Sequence, residues 1–394
     1  MSTRIVVVGG GTAGARLAQR LPVTLLGEEP HAPYNRVLLA DVLAGRYAPE
    51  VIALPAPGEP VRRGVRAERI DRDARLVHCA DGSTVGYDRL VLATGSNPVL
   101  PPLRGLRGSR LPEGVHPFRT LDDCLTLRSL VGPGVRVVVV GGGLLGVSAA
   151  RALAARGAEV VLTQQGERLM ERQLDARASA LLRAHVESLG VEVHTECRVS
   201  GLRQHDGAVT AVELADGFVL DAHVVVLACG VRPRVGLARD AGLDVQRGIV
   251  VDDELRTSDP YIHAVGDCAE HQGRVYGLAG PALEQADVLA GILLGDTGRY
   301  GGTRALTRLT LGGPEALDLA AFGEATAQPG DDVVQLTDAT RRAYRKVVVR
   351  GDRLVGGVLL GDLAAVGALA RAWEGDEALP DAPLLHLLTH DGGS

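Results

Sequence analysis

Twice in this chain a run of valines leads into a Gly-x-Gly-x-x-Gly turn, and two landmarks downstream of the first turn recur downstream of the second at one common offset. Ile5-Val6-Val7-Val8 enters Gly9-Gly10-Gly11-Thr12-Ala13-Gly14, and Val137-Val138-Val139-Val140 enters Gly141-Gly142-Gly143-Leu144-Leu145-Gly146. The turn Ala80-Asp81-Gly82 recurs 135 residues later as Ala215-Asp216-Gly217. Val91-Leu92-Ala93-Thr94-Gly95 recurs at the same offset as Val226-Leu227-Ala228-Cys229-Gly230. An offset held by two separate landmarks marks a duplicated structural unit. In each copy the glycines allow a tight turn, the approach of a pyrophosphate to bare backbone, and close packing of the next helix on its strand. The helix N-terminus then faces the anion. Two such units imply two bound nucleotides.

The copies differ after their second strands. Val23-Thr24-Leu25-Leu26 is followed by Glu28, 19 residues after Gly9, where a carboxylate bonds ribose hydroxyls. Glu159-Val160-Val161-Leu162 is followed by Thr163-Gln164-Gln165. Gln164 can hydrogen-bond ribose, though it does not repel a 2′-phosphate as a carboxylate would, and NADH is the expected nucleotide. A later strand delivers another acid at Ala264-Val265-Gly266-Asp267, and Gly280-Pro281-Ala282-Leu283 opens a helix at Pro281.

Residues 97–114, rich in Pro and Gly, read as a linker. From about Thr303 the chain changes to strands joined by tight turns, with Arg350-Gly351-Asp352-Arg353 between two apolar runs and a helix near 363–373. The expected architecture is α/β: two Rossmann-like dinucleotide-binding domains plus a small C-terminal α+β domain. The expected boundaries are 1–113 with 240–302 for the first, 114–239 for the second and 303–394 for the third.

A net charge of −6 gives no electrostatic reason to expect nucleic acid or an anionic membrane as partner. No apolar run reaches the roughly 18 residues of a membrane span, and Met1-Ser2-Thr3-Arg4 leads into a strand. A cytoplasmic location is expected. The five cysteines form no C-x-x-C pair, and Cys124, Cys229 and Cys268 read as packing residues rather than redox groups. Lys346 is the sole lysine, which leaves almost no scope for Schiff-base chemistry. His386 and His390 have helical spacing for a metal but no third ligand nearby. Arg341, Arg342, Arg345 and Lys346 form a basic cluster that either docks an acidic carrier or, more plainly, is a solvated strand face.

With these features in hand, the chain resembles the two-dinucleotide-binding-domain flavoprotein reductases over its whole length. Tyr34-Asn35-Arg36-Val37-Leu38-Leu39, Phe118-Arg119-Thr120-Leu121-Asp122-Asp123-Cys124 and Leu169-Met170-Glu171-Arg172-Gln173-Leu174-Asp175 look like the flavin-binding front part of assimilatory nitrite reductase large subunits. Rubredoxin and ferredoxin reductases are similar too. The resemblance implies FAD in the first unit, at Gly9, Gly11, Thr12, Ala13, Gly14, Glu28, Arg36, Thr94, Gly95, Gly266, Asp267 and Ala282. It implies NAD(P)H in the second, at Gly141, Gly143, Leu144, Leu145, Gly146, Gln164 and Gly230.

The implied reaction is hydride transfer from NAD(P)H to FAD, with no side chain as acid or base, and then delivery of single electrons to a separate acceptor. That acceptor would be an iron–sulfur protein, a rubredoxin or a nitrite or nitrate reductase component. Delivery to O₂, a quinone or another small molecule is one alternative, and an NADH-responsive redox-sensing interaction protein is the other. Three departures from the family stand out. No cysteine follows Cys268, so nitrite reduction by these residues alone is not expected. The stretch from Tyr34 to Asp41 lacks the redox cysteines of disulfide reductases. Asp41 falls where relatives often carry a lysine near the flavin.

Overall fold

The computed structural model describes residues 3–55, 61–106, 110–313, 316–338, 340–380 and 383–388. The first valine run forms β1 (Ile5–Val8), fully buried, as a central strand covered on both faces must be. It is followed by helix α1 (Thr12–Arg20) and strands β2 (Val23–Gly27), β3 (Val61–Arg63), β4 (Ala67–Asp71), β5 (Leu76–Cys79), β6 (Thr84–Gly86) and β7 (Arg89–Leu92). Between β2 and β3 lies the short helix α2 (Leu39–Leu43), and β8 (Ser96–Pro98) follows β7. The next strands are β9 (Val115–Pro117), β10 (Arg136–Val140), β11 (Glu159–Thr163), β12 (Val191–His194), β13 (Val199–His205), β14 (Ala208–Leu214), β15 (Val219–Asp221), β16 (Val224–Leu227) and β17 (Val231–Pro233). Helices α3 (Leu121–Leu130), α4 (Leu144–Ala154), α5 (Ala176–Ser188) and α6 (Gly236–Asp240) complete this region. Strands β18 (Ile249–Val251), β19 (Ile262–Ala264) and β20 (Ala269–His271) then lead to α7 (Ala279–Leu294).

The strands assemble into two five-stranded parallel sheets, ordered β19-β7-β1-β2-β3 and β12-β11-β10-β16-β9. Each carries an antiparallel three-stranded companion, β4-β5-β6 or β13-β14-β15. The two Ala-Asp-Gly turns connect β5 to β6 and β14 to β15, with Gly82 at φ +80° and Gly217 at φ +91°. These are left-handed positions that glycine occupies without steric cost. The duplicated sequence is a duplicated fold.

The C-terminal stretch forms an antiparallel sheet β21-β22-β25-β24-β23. Its strands are β21 (Thr307–Leu311), β22 (Leu317–Gly323), β23 (Asp332–Asp338), β24 (Ala343–Arg350) and β25 (Arg353–Leu360), followed by α8 (Val366–Glu374). One face packs on α8 through Phe322, Val347, Leu359, Leu369 and Trp373. The other joins the largest core, where Leu311, Leu319, Tyr344, Val358 and Leu360 meet residues of α2, α3 and α4.

Three sequence expectations change. Residues 97–114 are not a free linker: β8 pairs antiparallel with β17, and Arg104 and Glu113 bridge to Gly201 and Ala208. The helix expected from Pro281 begins at Ala279, and α2, early in the sequence, packs against α3 and α4 of the second unit. The basic cluster is neither a solvated face nor a docking patch at two of its positions. Lys346 is buried, giving its ammonium hydrogens to Asp175 at 2.9 Å and to the Ala325 carbonyl at 2.8 Å, while buried Arg345 bonds Asp362 and the Leu388 carbonyl. His386 lies in a single 3-10 turn (Leu384–Leu387), and His390 lies outside the described residues.

Candidate functional site

A single cavity of about 1490 Å³ runs between the two parallel sheets and reaches β21. Both fingerprints open into it. A Cβ on Gly9 would lie 2.0 Å from the Ala93 carbonyl oxygen, and one on Gly141 would lie 2.5 Å from that of Ala228. Both residues also hold positive φ, +119° and +111°. The third glycines do a different job: a Cβ on Gly14 would sit 1.9 Å from Gly9 O, and one on Gly146 1.7 Å from Gly141 O. They seat the helix on its own turn and do not line the cavity. The middle glycines, Gly11 and Gly143, face open space, with nothing within 4 Å of a built Cβ. That space is the cradle a phosphate needs.

Three helices that begin at this cavity lack side-chain caps. Gly11 caps α1, Gly143 caps α4 and Leu278 caps α7, none with a side-chain hydrogen bond. Thr120, which also lines the cavity, caps α3 in a capping box, and Asp175, outside the lining, caps α5. An uncapped N-terminus leaves the first-turn N–H groups to a ligand. At α1 these belong to Thr12 and Ala13, and at α4 to Leu144 and Leu145, all cavity-lining. At α7 Ala282 lines the cavity, but its N–H bonds back to Leu278 O at 3.4 Å and Pro281 has none. The donors there are Ala279 and Gly280, not Ala282 and Leu283. Ala282 serves by being small: a Cβ on Gly266 would stand 3.3 Å from Ala13 Cβ and 3.7 Å from Ala282 Cβ, so α1, α7 and the β19 turn converge.

Glu28, Thr94, Gly95 and Asp267 all line the cavity. Glu28 accepts a hydrogen bond from Arg234 and lies 3.7 Å from Arg66, and the Arg234 bond holds its carboxyl below the ordinary carboxylate range. Thr94 Oγ1 donates to the Arg234 carbonyl at 2.7 Å, tying β7 to the chain after β17. Gly95 takes φ +70° and Gly230, its counterpart, φ +99°. Asp267 Oδ2 accepts from Arg119 Nη2 at 2.6 Å and Ser96 Oγ at 2.8 Å.

Arg36 lines the cavity but pairs with Glu29, not with Glu28 or Asp41, and donates to Tyr34 Oη at 3.0 Å. Asp41 also reaches the cavity and accepts from Arg151 at 2.9 Å and Arg46 at 3.2 Å. In the second unit Gln164 Oε1 accepts the Gly142 N–H at 2.8 Å, so its carbonyl caps its own fingerprint.

Sequence reasoning missed Ser96, Arg119, Arg151 and Arg234. Arg119, Arg151 and Arg234 act across units and Ser96 joins distant segments of the first, and only Arg119 stands inside one of the family-like motifs. The cysteines are packing residues: all five are free thiols, Cys124 and Cys268 are fully buried, and burial pushes the Cys124 and Cys229 thiols up to about 11. Among the described residues no group of three or more His, Cys, Asp or Glu could hold a metal ion, and no helix is long and apolar enough to cross a membrane.

The family model for pyridine nucleotide-disulphide oxidoreductases matches residues 3–286. The chain belongs to that family. Beyond it, residues 315–374 match the rubredoxin NAD⁺ reductase C-terminal domain. Pyridine nucleotide-disulphide oxidoreductases of this type use FAD and NAD(P)H. The nitrite reductase [NAD(P)H] large subunit of Klebsiella oxytoca is 35% identical over 96% of this chain but only 41% of its own length. A probable ferredoxin reductase of Castellaniella defragrans is 35% identical over 74% of this chain and 76% of its own. Among solved structures, a chain of the covalent putidaredoxin reductase–putidaredoxin complex superposes with a TM-score of 0.85 at 27% identity, covering 98% of both chains. The chain thus spans less than half the length of the nitrite reductase relatives and 98% of the matching chain from that complex.

Proposed function

We propose that this chain is an NAD(P)H-dependent flavoprotein reductase that passes electrons to a separate redox protein, with FAD in the first unit and the pyridine nucleotide in the second. The observation that carries this reading is the one cavity onto which both open glycine cradles and three uncapped helix N-termini converge. When bound, FAD accepts a hydride from the nicotinamide and releases electrons one at a time. The residues supply positions and charge. The N–H groups of Thr12 and Ala13 receive one pyrophosphate and those of Leu144 and Leu145 the other. Glu28 accepts ribose hydroxyls, and Asp267, fixed by Arg119 and Ser96, orients the flavin's polyol. The positive end of α7 favours the negative charge that reduction places on the flavin.

A separate protein acceptor fits the ferredoxin reductase relative and the covalent complex with putidaredoxin. An iron–sulfur protein, a rubredoxin, or a nitrite or nitrate reductase component meets that description. Five unpaired thiols suit the cytoplasm, where such thiols stay reduced. Anaerobic mixing of FAD-loaded protein with NADH, then with NADPH, tests the assignment. Flavin bleaching within the mixing experiment, with rapid recovery only on adding an iron–sulfur or rubredoxin acceptor, is the expected result. Failure of both nucleotides to bleach bound FAD sinks the reductase reading, and equally fast recovery in air without a carrier points to a small-molecule acceptor.

A further inference from the structure

The first unit keeps its carboxylate just past the end of β2, whereas the second has Gln164 past β11, its carbonyl already bonded to Gly142 N–H. The chain after Gln164 does not leave the fingerprint. Met170 N–H donates to Gly142 O at 2.9 Å, and Leu169 and Met170 are both buried. Met170 takes φ +49°, a left-handed conformation that a methionine adopts only where its surroundings impose it. The bend turns Glu171 back over the loop. A Cβ placed on Gly166 would lie 2.1 Å from Glu171 Oε2 and 2.7 Å from Oε1. Glu171 remains exposed and lines the cavity beside Gln164 and Gln165. Among the described residues no hydrogen bond or ion pair engages its carboxylate.

From this geometry we infer that Glu171, rather than the residue past the strand end, supplies the carboxylate that accepts the 2′- and 3′-hydroxyls of the adenosine ribose in the second unit, and so selects NAD(H) over NADP(H). The inference rests on the reading that this unit binds a pyridine nucleotide. A carboxylate takes both hydroxyl hydrogens in charge-assisted bonds, while a 2′-phosphate meets like charge there. Gln164 contributes its side-chain amide N–H groups, the part its bond to Gly142 leaves available. Arg172 and Arg198 line the same cavity, and they are the groups that would welcome a 2′-phosphate if they faced that position instead.

Calorimetric titration of the FAD-loaded protein with NAD⁺ and with NADP⁺ reads this without turnover. The wild type is expected to bind NAD⁺ more tightly by about tenfold, the scale of hydrogen bonds to a charged group. Glu171→Gln should narrow the ratio to under about threefold by removing the charge while keeping the shape, and Glu171→Arg should invert it. An unchanged ratio in Glu171→Gln, with both nucleotides still binding, overturns the inference and leaves the nucleotide reading intact. A wild-type preference for NADP⁺ overturns it too and assigns the site to Arg172 and Arg198. If neither nucleotide binds the wild type, the underlying assignment of the second unit fails instead.

Discussion

The two parallel sheets are built on one plan yet completed from different places in the chain. Strands β1, β2 and β7 correspond to β10, β11 and β16, and both glycine turns meet the same carbonyls in the same way. The fifth strand does not follow the repeat. In the second sheet it is β9, which precedes the fingerprint; in the first it is β19, which arrives only after the whole second unit. Even so, the positions agree: His263 of β19 lies opposite Val91, and His116 of β9 opposite Val226, the valine at the repeat offset. Each imidazole has one buried nitrogen, His263 Nδ1 or His116 Nε2, without a hydrogen-bond partner. A parallel sheet needs an edge, and any short apolar strand of the right geometry can supply it. The acids diverge as well, Glu28 being held by Arg234 while Gln164 caps its own loop.

The sharpest way to break the comparison is to block one cradle at a time. Gly11 and Gly143 have ordinary negative φ, −76° and −79°, and open space around a built Cβ, so valine there costs the fold little. Gly11→Val should weaken FAD binding by about 100-fold or more while sparing NAD⁺, and Gly143→Val should do the reverse. Flavin-to-protein absorbance ratios and NAD⁺ titration read the two losses separately. Loss of FAD in both variants would mean that the cradles are not independent.

Next come the glycines that only pack. Gly14→Ala and Gly146→Ala force a methyl into the carbonyl of their own turn and should each cost about 3 kcal/mol in denaturant unfolding. Equal costs support equivalent roles, and a negligible cost in one would separate the units.

The two edge histidines give a pH test. Burial, then Arg256 and Arg89, pull the His263 pKa down to about 4 against Asp252, which opposes them. Burial also lowers that of His116, with Asp123 opposing. Because the unfolded chain protonates near pH 6.5, it binds more protons than the folded state as pH falls from 6.5 towards 4. Stability therefore drops through that window, by about 2 kcal/mol at pH 5 for His263, and is independent of this group above pH 7. His263→Leu should flatten the pH dependence of unfolding over this range, and His116→Leu should flatten it less. An undiminished slope in His263→Leu would assign the acid sensitivity elsewhere.

The smallest expected effect comes from giving the second unit the first unit's acid. Gln164→Glu keeps an acceptor for Gly142 N–H and should raise the NAD⁺ over NADP⁺ preference by roughly twofold, less than the change on altering Glu171. A larger effect than that of Glu171→Gln would return the ribose contact to the strand end.

Much of this was legible because it is local. A glycine that must hold positive φ, a valine strand buried on both faces and a carboxylate a fixed distance down the chain all leave their mark in neighbouring residues, and the repeat made each mark count twice. Arg119, Arg151, Arg234 and Ser96 left none. Each meets its partner across 100 or more residues of chain, as Arg234 meets Glu28, Arg151 meets Asp41, and Arg119 and Ser96 meet Asp267. The basic run misled for the same reason: alternation on a strand says which side chains share a face, not that Asp175 waits opposite Lys346.

By itself, then, the sequence determined the two nucleotide folds, their cradles and the absence of a cysteine beside Tyr34 to Asp41, because backbone conformation and strand burial are fixed by residues in immediate succession. Tertiary structure alone decided which helix ends stay uncapped, which segment closes each sheet, and that Glu171 folds back over Gly166. Those outcomes depend on contacts between elements far apart in the chain, and such contacts exist only once both sheets have packed around the cavity.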